Sequence, residues 1–291
     1  MTEARASDLG LDIGGTWVKA CIVEGLPGER RATRRAERAW GGFEAITLER
    51  QLAGEERGGE ERAAAARLVK AAVEVVAEAL DGDRLGAFGV ASAGPKTGDG
   101  RGIALWRRGP RAPQLLDELL AGLAERELVP EAAAVRMIDD SVAALRGERT
   151  AAEGALTGSG PALWLGPGTD LGEAWLHGGQ AGPRPGGVPA PWDLVDDGDR
   201  AQRSFAETCR IAPGLDLPAA FAALGRLARA RLAAGREGGL EAPRLLVVGA
   251  RGGQLLAESP GLRAALDAGL AGALPWRASI LRSAAAIGAL G

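Results

Sequence analysis

The sequence has few cysteines, a single histidine and no long apolar run. Two cysteines, Cys21 and Cys209, do not make a disulfide framework, and no CxxC pair is present to hold a zinc ion. We interpret the lone histidine, His177, as a surface residue rather than a metal ligand. No apolar stretch reaches the ~18 residues that a membrane span needs. These shortages argue against a disulfide-stapled domain, a zinc clip and an integral membrane protein.

The chain also lacks a strong excess of either charge. Its 35 basic and 38 acidic residues give a formal net charge of -3, so no basic field draws it to nucleic acid or to an anionic membrane. The first residues lack the charged-then-apolar pattern of a signal peptide, and we therefore expect a cytoplasmic protein. With 46% apolar and 25% charged residues, the composition is that of a soluble globular protein.

Short apolar runs alternate with helical patterns in both halves of the chain. Strands are predicted over 9–13, 17–23, 30–40, 85–91, 134–138, 162–165, 174–176 and 245–248. Helices are predicted over 63–80, 114–126, 141–149, 218–236 and 279–290. The charged strand 30–40 is expected near a sheet edge, and 41–60 is expected to be a loop. Because each half opens with strand, glycine turn and strand, we predict two α/β domains of similar plan.

The first glycine turn carries candidate phosphate ligands. Asp12 ends a strand and is followed by Gly14, Gly15 and Thr16, with Lys19 shortly after. Glycines let backbone N–H groups approach a phosphate closely, and the threonine adds a hydroxyl. The aspartate can hold Mg²⁺, which prefers oxygen ligands and keeps part of its water shell. The alternative is a plain β-turn beside a solvated aspartate.

An acidic pair, Asp139 and Asp140, lies where a predicted strand ends and a helix begins. A carboxylate held there can accept a proton from a hydroxyl that attacks phosphorus. If both acids are buried, each raises the proton affinity of the other. The alternative is that one of the two is only a helix N-cap, which is the simpler interpretation of the pair taken alone.

Two further glycine turns lie in the second half. Residues 166–172 (GPGTDLG) predict a second hairpin, in which Gly168 and Thr169 can cradle a phosphate. Residues 249–253 (GARGG) follow a buried strand, and the small side chains at Gly249 and Gly252 would let an adenine ring lie against the backbone. In both places the alternative is a turn whose glycines are set by geometry alone.

Taken in chain order, these segments resemble the ROK family (repressors, open reading frames and sugar kinases). The matching segments are 12–16 (DIGGT) with its first phosphate motif, 89–95 (GVASAGP) with its GxGxPGP segment, 138–148 (IDDSVAALRGE) with its ENDANAAALGE stretch, 168–172 (GTDLG) with its GTGLG motif, and 247–252 (VVGARG) with its adenosine motif. The resemblance covers nearly the whole chain.

The resemblance implies an α/β fold of two RNase H-like (actin-like ATPase) domains with a cleft between them. The first would comprise residues 1–145 and 277–291, with the last helix packed on it, and the second residues 146–276. The implied activity is transfer of the γ-phosphoryl group of ATP, with Mg²⁺, to a hydroxyl of a sugar or sugar-like substrate. The family likeness is compatible with a homodimer, which no residue pattern specifies.

The resemblance also implies roles for single residues. Asp140 would be the general base, and Asp12 would position Mg²⁺. The acceptor would be bound by Asp139, Gly94 and Pro95. The cofactor would be bound by Asp12, Gly14, Gly15, Thr16, Lys19, Gly168, Thr169, Gly249 and Gly252.

The sequence departs from the family in four places. Asp139 replaces an asparagine, and a carboxylate only accepts hydrogen bonds whereas an amide also donates them. The GExGH segment and the cysteine-rich loop are absent, so we predict no zinc. Asp170 replaces a glycine in the second phosphate turn, and Glu173 adds a further negative charge nearby. A carboxylate that points at a phosphate there would be repelled.

Three hypotheses of function follow. The first is a divergent sugar kinase. The second is a catalytically silent protein that binds a nucleotide or another small ligand. The third is other phosphotransfer within the superfamily, with polyphosphate as donor or a non-sugar alcohol as acceptor. Only eleven residues precede Asp12, too few for the DNA-binding region of the family's repressors, so we expect no nucleic-acid partner.

Overall fold

The computed structural model describes residues 6–107, 109–130, 135, 137–156, 160–167, 171–185 and 216–290. The chain divides into two compact units, one of Met1–Ala152 with Ser283–Gly291 and one of Glu153–Arg282. Each unit contains a five-stranded sheet of mixed parallel and antiparallel strands.

The first unit is built around the sheet order β3-β2-β1-β4-β5. Its elements are β1 (Ala6–Ile13), β2 (Trp17–Glu24), β3 (Arg31–Ala39), α1 (Leu48–Leu52), α2 (Gly59–Leu80), β4 (Arg84–Ser92), α3 (Leu115–Ala124), β5 (Met137–Asp139), α4 (Asp140–Thr150) and α8 (Ala284–Ala289). Strands β1, β2 and β3 form an antiparallel meander, and β4 and β5 continue the sheet parallel to β1.

The second unit repeats that plan. Its elements are β6 (Ala162–Pro167), β7 (Leu171–His177), β8 (Gln180–Gly182), α5 (Leu217–Glu237), β9 (Leu245–Val248), α6 (Ala250–Glu258), α7 (Pro260–Leu270) and β10 (Trp276–Ala278). The sheet order β8-β7-β6-β9-β10 matches that of the first unit, with β6 and β7 antiparallel and β6, β9 and β10 parallel. The prediction of two α/β domains of similar, RNase H-like plan is confirmed.

Each sheet is held by an apolar core on its helical side. In the first unit, buried side chains of β1, β2 and β4 pack on the Ala-, Leu- and Val-rich face of α2 and on α3. In the second, Leu163 and Leu165 of β6 pack with Phe221 of α5 and Leu266 of α7. Helix α2 ends at Asp81, which adopts the left-handed conformation with φ 47°, as its Asp-Gly stop signal predicts.

The bounds of several elements differ from the predictions. Helix α1 interrupts the segment expected to be a loop, and the last helix begins at Ala284 rather than at 279. The predicted domain boundary after residue 145 falls inside α4, which continues to Thr150 within the first unit. Strand β10 pairs with β9, so residues 277–282 belong to the second unit.

Helix α8 packs closely on the first unit, as the family likeness implied. A Cβ at Gly10 of β1 would overlap the carbonyl oxygen of Ala286, and a Cβ at Gly147 of α4 would overlap that of Ala284. Glycines at these positions therefore let the helix backbone approach the sheet and α4 directly. None of the described helices is long and apolar enough to cross a membrane.

Candidate active site

Three parallel strands of the first unit bring polar side chains to one sheet edge. Asp12 is next to last in β1, Ser92 ends β4, and Asp139 ends β5. The strand register places Ser92 beside Ile13 on one side and beside Asp139 on the other. Because the carboxyl ends of parallel strands meet at the same edge, the Asp12 end of the first glycine turn and the acidic pair come together there.

The two acids of the pair have different local roles. Asp139 is the N-cap of α4, and its Oδ1 accepts hydrogen bonds from the backbone N–H groups of Ser141 at 3.0 Å and Val142 at 3.2 Å. Asp140 is the first helical residue, and among the described residues its Oδ1 accepts only from the hydroxyl of Ser141, at 3.2 Å. The N-cap alternative thus accounts for Asp139, while Asp140 is left available for chemistry.

The electrostatic setting of Asp140 suits a general base. The pKa of its carboxyl group is raised to about 7, most of all by burial and then by the negative charges of Asp139 and Asp12. The ammonium of Lys96 and the bond from Ser141 act in the opposite direction. Although part of the residue stays open to solvent, its carboxyl group is largely enclosed by protein. A base with a pKa near the working pH is well matched to proton transfer.

Asp12 is enclosed as well, and burial raises the pKa of its carboxyl group. Its one counter-charge is Lys19, which lies directly opposite on β2 and lowers that pKa. No described residue donates a hydrogen bond to the carboxylate. An enclosed carboxylate with unused oxygens fits Mg²⁺, which is commonly held by one or two carboxylates together with phosphate oxygens and water.

The first glycine turn is a tight hairpin fixed from outside. The N–H of Gly14 donates to the carbonyl of Trp17 at 2.9 Å, so that amide is occupied within the turn itself. The carbonyl of Gly14 accepts from Nε1 of Trp40 at 3.0 Å, and the Trp40 ring lies 6.2 Å from that of Trp106. Thr16 is exposed beside the turn. Sequence reasoning missed Trp40, because its partner lies 26 residues away.

The turn after β4 contains the predicted acceptor residues. Gly94 has φ 81°, and a Cβ there would overlap the carbonyl oxygen of Leu105, so glycine is required. Pro95 is exposed, and its carbonyl accepts from the N–H of Ala104 at 2.9 Å. Beneath the turn, the ammonium of Lys96 donates to two backbone carbonyls. Its position directly after the Gly-Pro pair, as one of only three lysines in the sequence, was the sequence signal that went unnoticed.

The second phosphate turn lies outside the described residues, as do Gly168, Thr169 and Asp170. The neighbouring Glu173 is described, and it carries no free negative charge toward a ligand. Its carboxylate accepts from Arg231 of α5 at 2.5 Å and from Nε1 of Trp175 at 2.7 Å. The expected repulsion from Glu173 is therefore removed by a buried ion pair within the second unit.

Packing alone accounts for Gly249 and Gly252 in the turn 249–253. A Cβ at Gly249 would overlap the indole of Trp164, and one at Gly252 would overlap the ring of Pro167. The indole thus lies directly against the backbone where an adenine ring was expected. Its Nε1 is buried and has no hydrogen-bond partner among the described residues. The alternative of glycines set by geometry is sufficient here.

The sequence analysis also considered His177 and the two cysteines. His177 is exposed, as expected. Cys21 is buried in β2, where burial raises the pKa of its thiol to about 12. Cys209, and with it the prediction of no zinc in that region, lies outside the described residues. Within the described part of the chain, no group of three or more His, Cys, Asp or Glu side chains is placed to hold a metal ion.

Comparison with known proteins supports the fold. No family model matches the sequence, and no curated protein sequence matches it. Among solved structures, an inorganic polyphosphate/ATP-glucomannokinase from Arthrobacter sp. strain KM is 21% identical and aligns over 98% of this chain and 97% of its own, with a TM-score of 0.65. A ROK family glucokinase from Streptomyces griseus, in complex with glucose and AMPPNP, is 18% identical over 98% of both chains, with a TM-score of 0.60.

A ROK hexokinase from Thermus thermophilus is 20% identical, aligns over 98% of this chain and 96% of its own, and gives a TM-score of 0.56. These likenesses cover nearly the full length of each chain. The expected resemblance to the ROK family is therefore confirmed at the level of the fold: the two units have the RNase H-like plan of its solved kinases.

Proposed function

We propose that the protein is a divergent ROK-type sugar kinase, in which Asp140 is the general base. The observation that carries this proposal is the placement of Asp140 at the carboxyl edge of β1, β4 and β5. There it is free of the capping role that Asp139 fills, and burial together with the charges of Asp139 and Asp12 brings its pKa to about 7. Full-length likeness to glucokinases and a glucomannokinase supports the same reaction class.

In the proposed reaction, Asp140 accepts the proton of an acceptor hydroxyl as its oxygen forms a bond to the γ-phosphorus of ATP. The bond between that phosphorus and the β–γ bridging oxygen breaks, and ADP leaves with the electron pair. Asp12 would hold Mg²⁺, which when bound neutralises charge on the phosphate oxygens. The first glycine turn would bind the transferred group through the N–H of Gly15 and the hydroxyl of Thr16, since the N–H of Gly14 is already bonded.

A sugar kinase that takes polyphosphate instead of ATP is a second candidate. One observation favours it: the indole of Trp164 lies against Gly249, in the place where a purine was expected. Polyphosphate has no purine ring, so a polyphosphate donor needs no space at Gly249. The likeness to a kinase that uses both donors fits either assignment.

The test is turnover with ATP and with polyphosphate against a panel of hexoses, amino sugars and sugar-like alcohols. Asp140→Asn is run beside Asp117→Asn, which alters an exposed carboxylate paired with Arg101. We expect one acceptor to be phosphorylated, with a loss of ~10³-fold or more in Asp140→Asn and none in Asp117→Asn. Nucleotide binding without turnover would favour the silent binder. The absence of both nucleotide binding and turnover would overturn the kinase proposal.

A further inference from the structure

Lys96 lies beneath the acceptor turn in a position that sequence motifs do not explain. Its Nζ donates to the carbonyl oxygen of Ser92 at 2.7 Å and to that of Gly94 at 2.5 Å. An ammonium has three N–H donors, so one is left without a described protein partner. The side chain therefore ties the two ends of the turn 92–94 to a single positive charge.

That charge lies beside the acidic pair, because Ser92, whose carbonyl accepts from Nζ, is paired with Asp139 in the register of β4 and β5. Burial lowers the pKa of Lys96, while the carboxylates of Asp139 and Asp140 raise it. Neither carboxylate forms an ion pair within 4 Å of Nζ, so the attraction acts across the site rather than through a contact. The other acid near Asp140 is Asp12, whose counter-charge is Lys19. Lys96 is thus a cation that offsets the acids at the end of β5 and the start of α4.

The charge balance differs from that of an Asn-Asp pair. With an amide at position 139 the edge would carry one fewer negative charge, and a cation under the turn would have less to offset. Here Asp139 adds a carboxylate, and Lys96 adds an ammonium close by. Two like charges in a poorly solvated site repel strongly, and a third group of opposite sign relieves that repulsion.

We propose that Lys96 is a positioning residue that offsets the charge of Asp139, so that the acidic pair and the turn 92–96 keep the arrangement in which Asp140 meets the acceptor. The part that concerns the acceptor rests on the proposed kinase function. The offset between Lys96 and Asp139 does not, because it is a property of the folded first unit and is measurable without turnover.

Two substitutions separate the charge of Lys96 from its hydrogen bonds. Lys96→Gln keeps N–H donors for the two carbonyls and removes the charge. Asp139→Asn removes the carboxylate and keeps an oxygen that can cap α4. If Lys96 acts only through its hydrogen bonds to the turn, Lys96→Gln lowers the melting temperature equally with Asp or Asn at position 139. If it acts by charge, the cost depends on Asp139.

The experiment is a double-mutant cycle on the full chain: wild type, each single variant and the pair, by thermal unfolding at low ionic strength and neutral pH. We expect Lys96→Gln to lower the melting temperature by about 6 °C in the wild-type background and by less than about 2 °C beside Asp139→Asn. Lys70→Gln, an exposed lysine 4.0 Å from Glu74, serves as the control with no expected dependence on position 139.

If Lys96→Gln does not fold alone but folds with Asp139→Asn, the proposal also holds. Equal losses in both backgrounds, or failure to fold in both, would overturn it. With an acceptor in hand, kcat/KM is expected to fall about tenfold in Lys96→Gln and to be partly restored by the second substitution. Absence of turnover in every protein would refute the kinase function while the melting temperatures still decide the role of Lys96.

Discussion

Glu173 on a strand of the second unit and the acids at the sheet edge of the first unit differ in their partners. In the second unit, Glu173 is matched by Arg231 and Trp175, which hold both of its carboxylate oxygens. In the first unit, Asp12 and Asp140 have no such partners among the described residues, and burial raises the pKa of each. The fold thus neutralises Glu173, as it does Glu61 on α2 through Arg111, and leaves Asp12 and Asp140 without an ion pair in the described part of the chain.

The contrast separates structure from function. A buried carboxylate with a full set of partners stabilises the folded state only as long as those partners remain. A buried carboxylate left unpaired costs stability, and its retention suggests that it serves a ligand. On that criterion the proposed chemistry belongs to the first unit, while Glu173 belongs to the internal support of the second unit.

The sharpest test of the Glu173–Arg231 ion pair is Arg231→Met. This change leaves the Glu173 charge buried without its guanidinium, which is expected to lower the free energy of unfolding by about 3–5 kcal/mol. Arg101→Met, which breaks an exposed pair with Asp117, is the control and is expected to cost about 0–1 kcal/mol. Urea unfolding measures both. A loss below 1 kcal/mol for Arg231→Met would mean that the pair is not the support we describe.

The carboxyl group of Asp140 is tested by the pH dependence of the free energy of unfolding. An aspartate in the unfolded chain ionises near pH 3.9, whereas Asp140 in the folded protein stays protonated until about pH 7. Because its folded pKa is raised, its protonated form favours the folded state at low pH. That advantage is lost as the pH rises from about 4 through 7.

Asp140→Asn removes this titration, so the variant should gain stability over the wild type progressively between pH 4 and 7, by roughly 2–4 kcal/mol at the upper end. Differences in unfolding free energy across this range are the measurement, since the difference cancels groups that both proteins share. Asp117→Asn should run parallel to the wild type. A constant offset for Asp140→Asn would show that its carboxyl is not perturbed as described.

Much of this comparison was accessible from the sequence. The glycine turns, the buried strands and the Asp-Gly stop after α2 follow from local chemistry, and the charges of β3 correctly indicated an edge strand. The acidic pair was found because it follows a strand directly. Which of its members caps α4 was not predictable, since two adjacent aspartates offer the same side chain to the same helix start.

The long-range partners were beyond sequence reasoning. Arg231 and Glu173 are 58 residues apart, and nothing local in either segment indicates that they meet. The role of Lys96 depends on a turn closed by Ala104, whose N–H binds the carbonyl of Pro95. Tertiary packing also decides why Gly249 is small, because the constraint is the indole of Trp164 on another strand.

A smaller effect is expected at Trp40, which links the first glycine turn to the rest of the first unit. Trp40→Phe keeps an aromatic ring against Trp106 and removes the hydrogen bond to the Gly14 carbonyl, at a cost of about 1 kcal/mol. The control is Trp276→Phe, which removes an indole bond to Asp267 in an exposed setting of the second unit. Phosphoryl transfer should weaken only in Trp40→Phe, and an equal loss in both would argue against a role for the turn.

The smallest effect on stability is expected at Ser92, between the two acidic strand ends. Its hydroxyl is fully buried and has no hydrogen-bond partner among the described residues. Ser92→Ala removes a polar group that gains nothing in the free protein, so the free energy of unfolding should stay within about 0.5 kcal/mol or rise. If the hydroxyl instead serves a bound acceptor, KM should increase several-fold while kcat changes less. If KM stays unchanged and the free energy of unfolding increases, Ser92, like Glu173, takes no part in binding the acceptor.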